Sequence, residues 1–382
     1  MIFPITNFPV NWVDGMKISK DHFIDSDKHF TDLIRDFASV YVTDKNFGLL
    51  PPPAGTKNYP DLRLNSAYSG RAELSLNYCN ALTSGGFRIM ADFHQVDGNF
   101  FSQSFDTSAW SEDSIYDVLL VANPYSRQPK GTPSLEENPP RHPYTDISYR
   151  LEILPEERIS SRELGPYHFV IGKLTIKHGE VKLLTDYIPP CAYICSHPEL
   201  ERFSALALRV IRAVQNDSFS IIRKVHEKNK LSSLAHSFTD ICTVVLNYIS
   251  SVYFQLTNEL MYLAPVQLVG CLSSLAGLIH TNLKTMHPEA REELLKYMYE
   301  WTEHTPGGFD QMLQKAVEIT YDHHNIRVSL NVMQSFLQNM ETIWNKMNAL
   351  EFIGQRKENL VVTSEIVSQQ TEQPKKRWSI LD

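Results

Sequence analysis

The sequence predicts an α+β protein built in two parts, an N-terminal antiparallel β-sandwich followed by an α-helical bundle. Three observations carry that prediction. Of 21 prolines, 17 stand at or before Pro198, and 11 of 16 glycines precede residue 199, so the first half cannot be a helix bundle. Within that half, short runs alternate apolar and polar at period two between turn-forming clusters. From 199 to 264 there is neither proline nor glycine, and apolar residues recur at spacings of three and four, as on one buried stripe of a helix. At 382 residues the chain is long enough for two domains. The expected organisation is a sandwich with an N-terminal anchor segment over 1–196, a bundle over 197–350, and a polar tail over 351–382.

Phe23, Phe30, Leu33, Ile34 and Phe37 predict a helix around 20–41. Pro51-Pro52-Pro53 excludes helix and central strand alike. Residues 71–79 bury Ala72, Leu74, Leu76 and Tyr78 by alternation, and with 87–93 across Ser84-Gly85-Gly86 they read as a hairpin. Further strands are expected at 115–122, 146–154, 167–176 and 180–184, the last two joined by the turn Lys177-His178-Gly179. A proline-rich loop is expected over 123–143. Beyond His197-Pro198, helices follow on Phe203–Val225 and Leu234–Val252, connected near Asn229-Lys230, then from Pro265 through Ile279, and from Pro288. Gly307-Gly308 should separate that helix from one over 309–319. Asp322 reads as the N-cap of the last helix, whose Ile326, Leu330, Met333, Leu337, Met340, Trp344 and Met347 form a heptad seam. Such a seam suits a bundle interior or a trimer contact.

Chemistry is sparse. A net charge of −8 argues against nucleic-acid binding, whose affinity comes mainly from neutralised phosphates. The N-terminus lacks the basic region of a signal peptide, and no run approaches the ~18 consecutive apolar residues of a membrane span, so a cytoplasmic protein without direct membrane insertion is expected. Five cysteines do not make a disulfide framework or a zinc site. There is no phosphate-cradling glycine loop, no HExxH and no nucleophile elbow. The densest polar cluster is Tyr321-Asp322-His323-His324-Asn325. A metal-dependent hydrolase using Asp322, His323 and His324 is one reading of it, but adjacent helical residues point ~100° apart, and a polar first turn is the plainer one. No catalytic, cofactor or metal residue is assigned. The basic-aromatic end, Lys375, Lys376, Arg377 and Trp378, is a candidate docking segment.

The segment Trp12-Val13-Asp14-Gly15-Met16-Lys17-Ile18-Ser19-Lys20-Asp21-His22-Phe23 resembles the opening signature of the type VI secretion system baseplate subunit TssK family, with Val13 and Asp21 departing from it. Tyr187-Ile188-Pro189-Pro190-Cys191 is similar to the segment closing that family's sandwich, Leu275-Ala276-Gly277 to its bundle-helix motif, and Tyr321-Asp322-His323 to the motif opening its last bundle helix. The resemblance implies a non-enzymatic homotrimer. Its sandwich, a shoulder like that of phage receptor-binding proteins, grips the other baseplate wedge subunits, and its bundle is the neck. Trp12, Gly15, Met16, His22 and Phe23 become candidates for the wedge interface or N-terminal anchor. The family's C-terminal head, which docks on the membrane complex, has no counterpart before residue 382. A membrane-side partner would then be reached through the tail, in a divergent member of the family. A phage-type receptor-binding or tail protein is the alternative.

Overall fold

The structure, a computed structural model, describes residues 4–53, 55, 59–68, 70–92, 101–156, 165–228, 232–302 and 305–355. The described residues fall into two compact units: the first holds those up to Ala205 with Thr257–Gly270 and Thr320–Asn331, the second those of Leu206–Leu256, of Cys271–Ile319 and from Val332 to Gln355.

Among the described residues, the first unit contains helix α1 (Lys20–Ser39) and ten strands: β1 (Gly48–Leu49), β2 (Leu62–Tyr68), β3 (Arg71–Leu76), β4 (Tyr78–Leu82), β5 (Arg88–Asp92), β6 (Phe101–Asp106), β7 (Ile115–Lys130), β8 (Tyr144–Pro155), β9 (His168–Lys177) and β10 (Glu180–Leu183). Among the described residues the strands pair antiparallel, in sheets ordered β1-β4-β5, β2-β3-β6 and β10-β9-β7-β8. β9 and the first half of β7 are buried almost without interruption, as expected where both faces of a sheet are covered. Gln103 on β6 links two sheets as a peptide group would. Its amide donates to the Leu151 carbonyl at 3.0 Å and its carbonyl accepts the Leu151 N–H at 2.9 Å.

Several expectations are refined here. The run 71–79 is two strands, because the chain bends at Asn77, whose side chain accepts the Asp61 N–H at 2.7 Å. The hairpin is therefore β4–β5, while β3 pairs with β2 and β6 in another sheet. The 123–143 loop is shorter than expected, since β7 runs on through Pro124 and Pro129 to Lys130. Its outer part pairs only with β8, after a register shift between Asn123 and Arg127, and a strand with one free edge tolerates proline. The β9–β10 turn is as expected: His178 and Gly179 have φ of 55° and 74°, matching a two-residue turn with both central residues left-handed.

Gly48 marks the tightest approach. Its φ is +112°, and a Cβ there would lie 2.1 Å from the Pro190 carbonyl oxygen. The Ile188–Cys191 segment lies directly against β1, with Leu49 N–H donating to Pro190 at 2.8 Å and Ala192 N–H to Leu49 at 2.9 Å. In the four-stranded sheet, buried Lys173 pairs with Glu156 and, at 3.4 Å, with buried Asp117.

Among the described residues, six further α-helices follow: α2 (Pro198–Lys228), α3 (Ser233–Phe254), α4 (Pro265–Thr285), α5 (Pro288–Trp301), α6 (Pro306–Val317) and α7 (Ile326–Ala349), with a π-helical turn at Gln255–Glu259. Asn229-Lys230 lies outside the described residues. Within the second unit the apolar stripes meet in one core that includes Val214, Phe238, Val245, Leu272, Leu294, Leu313, Leu337 and Trp344. Trp344 carries a polar atom into that core and satisfies it by donating to Ser218 Oγ at 2.8 Å. Asp217, the polar break in the α2 stripe, accepts from Asn348 at 2.7 Å. Gly307-Gly308 does not break a helix; it lies in the first turn of α6, where Thr305 caps the Gly308 N–H at 3.1 Å and Pro306 sits at the first position. α7 starts at Ile326 rather than after Asp322. The Asp322 carboxylate turns onto the His324 N–H at 2.9 Å, closing a local turn ahead of the helix. α4 is long and apolar enough to cross a membrane by length and composition alone, at mean hydropathy 1.3. Its Leu268, Leu272, Leu275, Ile279 and Leu283 are buried within the chain.

Candidate interaction surface

α1 is amphipathic with its faces reversed. The residues it buries are Asp32, Arg35 and Ser39, while Phe23, Phe30, Leu33, Ile34 and Phe37 are 46–70% exposed. A polar buried face is tolerable only where every polar atom finds a partner. Here Arg35 donates to Asp32 through Nε at 2.9 Å and sits at 2.8 Å from it through a terminal nitrogen. Asp32 also accepts the N–H groups of Thr6 at 2.7 Å and Asn7 at 2.9 Å, Arg35 reaches the Pro4 carbonyl at 3.2 Å, and His29 Nδ1 lies 2.9 Å from the Asn7 carbonyl. The polar side of α1 thus holds residues 4–7 as a strap. Burial pushes the Asp32 carboxyl up, but the Asn7 and Thr6 amides and the Arg35 guanidinium outweigh it and hold the group at about 2. Beneath lie Phe87, Tyr125 and Tyr167, ring centroids 5.0–6.2 Å apart. The Tyr125 hydroxyl is pushed up to about 12, by burial first and then by Asp32.

Of the candidate anchor residues, Trp12, His22 and Phe23 come together: the Trp12 ring lies 5.9 Å from His22 and 6.4 Å from Phe23. Trp12 is 51% exposed and Phe23 59%. Gly15, at φ +78°, is the third residue of a turn closed by Met16 N–H on the Val13 carbonyl at 3.2 Å; open space surrounds it, so the conformation rather than crowding selects glycine. Met16 is half-buried. The Ser19 N–H donates to His22 Nδ1 at 3.0 Å and fixes the start of α1. Trp12, Val13, Ile18, Phe23, Phe30, Ile34, Phe37, Val40 and Tyr41 therefore form a run of exposed large apolar side chains on one short stretch of chain. Isolated apolar side chains on a surface are ordinary, whereas a run of them is a candidate interaction surface.

The α7 seam is placed differently. Ile326, Leu330, Met333, Leu337, Met340, Trp344 and Met347 are each at most 2% exposed within the single chain. Lys375, Lys376, Arg377 and Trp378 lie outside the described residues.

Tyr321 and His323 are fixed by structure. His323 is buried, its Nε2 2.8 Å from the Phe47 carbonyl, which requires that nitrogen to carry the proton; its Nδ1 then accepts from the Tyr321 hydroxyl at 2.8 Å. Burial lowers the His323 pKa to about 4 and also lowers that of His324. Both rings pack on Phe47, beside a cleft of about 220 Å³ that Asp44 and Lys45 also line. Among the described residues, no group of three His, Cys, Asp or Glu is placed to hold a metal ion.

Sequence reasoning located the helix and its apolar residues but not the Asp32–Arg35 pair. The signal was present as Asp32, Arg35 and Ser39 at spacings of three and four, a second stripe opposite the apolar one.

No protein-family model matches the sequence, and no curated protein matches it. Solved structures do. The chain is similar to a crystal structure of TssK, at 15% identity over 88% of this chain and 70% of that one, with a TM-score of 0.52. It is similar to TssK from the type VI secretion system of EAEC in complex with a nanobody, at 16% identity over 82% and 68%, with a TM-score of 0.50. It also matches a chain in the baseplate complex from the type VI secretion system, at 15% identity over 87% and 69%, with a TM-score of 0.51. Antiparallel sheets followed by a helical region, in this order and over most of its length, give the chain a TssK-like fold.

Proposed function

We propose that the chain is a structural, non-enzymatic baseplate component of a type VI secretion or related contractile injection system, a homotrimeric cytoplasmic adaptor linking the baseplate wedge to a membrane anchor. One observation carries this reading beyond the fold: a helix that buries its charges and presents its aromatic residues to solvent. That arrangement leaves apolar area in water, and docking a macromolecule on it covers that area. In this reading residues 1–196 serve as the shoulder and 197–350 as the neck. Trp12, Met16, His22 and Phe23 form the wedge contact, with Gly15 setting the turn that presents them. The tail from 351 reaches the membrane-side partner. The cognate wedge subunits, co-expressed with a tagged chain, should co-purify with it, and the Trp12→Ala, Phe23→Ala double variant should retain at least tenfold less of them, since buried aromatics dominate interface energies. Equal retention by parent and variant would exonerate these residues, and failure of the parent to retain any wedge subunit would overturn the baseplate reading.

A further inference from the structure

The trimer proposed above needs a surface on which copies meet, and the α7 seam is already filled by its own chain. α1 carries a second seam. Phe23, Phe30 and Phe37 recur every seven residues; Leu33 and Val40 follow the second and third by three, and Ile34 and Tyr41 follow them by four. All seven are exposed, and Val40 keeps helical dihedrals beyond the end of α1. A repeat of seven is 3.5 residues per turn, the spacing at which one helix stays facing another along its length. The face is a convex ridge on a helix, so another helix fits it better than an extended peptide does.

We infer that the Phe30–Tyr41 part of this stripe is a homotypic seam on which three copies of this chain pack their first helices in parallel, with His22 and Phe23, at its N-terminal end, left to the wedge contact. The inference rests on the homotrimer reading and says which surface makes it. Two features select a second copy as occupant. The stripe is three positions wide (a, d and e in heptad letters), broader than the two-position seam that a pair of helices covers. The borders fit as well. Threefold symmetry makes the helices parallel, and His29 and Asp36 then face Ile34 and Tyr41 of the neighbouring copy, so no like charges meet.

Light scattering on the full chain and its Phe30→Asp, Phe37→Asp variant tests this. Both residues are solvent-exposed in the single chain, so the variant should keep the parent's circular dichroism and lose two thirds of its mass, going from trimer to monomer. A monomeric parent would overturn the homotrimer reading and this inference with it. A trimeric parent with a trimeric variant would overturn this inference alone, as would unchanged mass with lost wedge binding. A second variant covers misfolding of the first: after oxidation, Phe30→Cys should yield a disulfide joining position 30 of two copies, identified by mass spectrometry. A trimer without that link contradicts the parallel seam.

Discussion

Replacing Asp32 with alanine should detach the N-terminal strap and loosen the helix that presents the aromatic surface. The side chain is 2% exposed and the Arg35 it holds is 3% exposed, so the change leaves a buried guanidinium without its carboxylate and two backbone amides without an acceptor. Breaking a buried pair in this way costs about 3–5 kcal/mol. The carboxyl's own titration supplies a second measure. Its pKa falls from 3.8 unfolded to about 2 folded, and at about 1.4 kcal/mol per unit that is roughly 2–3 kcal/mol of stability. Because the folded value is depressed, this contribution is complete above pH 4 and disappears as pH falls toward 2. Urea denaturation followed by circular dichroism should show the full loss in Asp32→Ala and a smaller one in Asp32→Asn, which keeps an acceptor. Hydrogen exchange should show the Thr6 and Asn7 amides losing protection in the alanine variant. A loss below about 1 kcal/mol, with those amides still protected, would refute the reasoning.

Gly48→Ala combines a positive φ with a Cβ driven 2.1 Å from the Pro190 carbonyl, so it should destabilise by at least ~2 kcal/mol, read as a lower denaturation midpoint; a parent-like midpoint would contradict the packing. Lys173→Ala strands buried Asp117 and should cost about 3–5 kcal/mol, whereas an unchanged midpoint would show the pair to be dispensable. Mild acid acts through buried imidazoles. His323 and His197 are both lowered to about 4 by burial, so the unfolded chain takes up their protons first, and stability falls as pH drops from about 6.5 toward 4, by up to ~1.4 kcal/mol per unit for each. His323→Gln should flatten that decline, and a parent midpoint equal at pH 7 and 5 would exclude it.

The helical half was legible because period and burial coincide: Phe238, Leu272 and Leu337 are apolar, at helical spacing and buried. The β9–β10 turn was legible because glycine at a left-handed position leaves little choice. The misses share a cause, which is that local pattern does not carry tertiary pairing. Nothing adjacent to Asn77 announces that its side chain will bind the Asp61 backbone and bend one strand into two. Pro124 and Pro129 look like loop until β8 is seen to pair on one side only. Asp322 has the chemistry of an N-cap but spends its carboxylate on the turn before the helix. α1 is the instructive case. Its amphipathicity was readable, but periodicity is symmetric between faces, and only the partners of Asp32 and Arg35 decide that the polar side points inward.

The central claim is that this chain is a scaffold that assembles in threes and docks other proteins. Size-exclusion chromatography with light scattering, on the chain co-expressed with its cognate wedge subunits, tests that most directly. The account predicts one assembly in which the chain is present in multiples of three. A chain that elutes apart from those subunits as a monomer would contradict it.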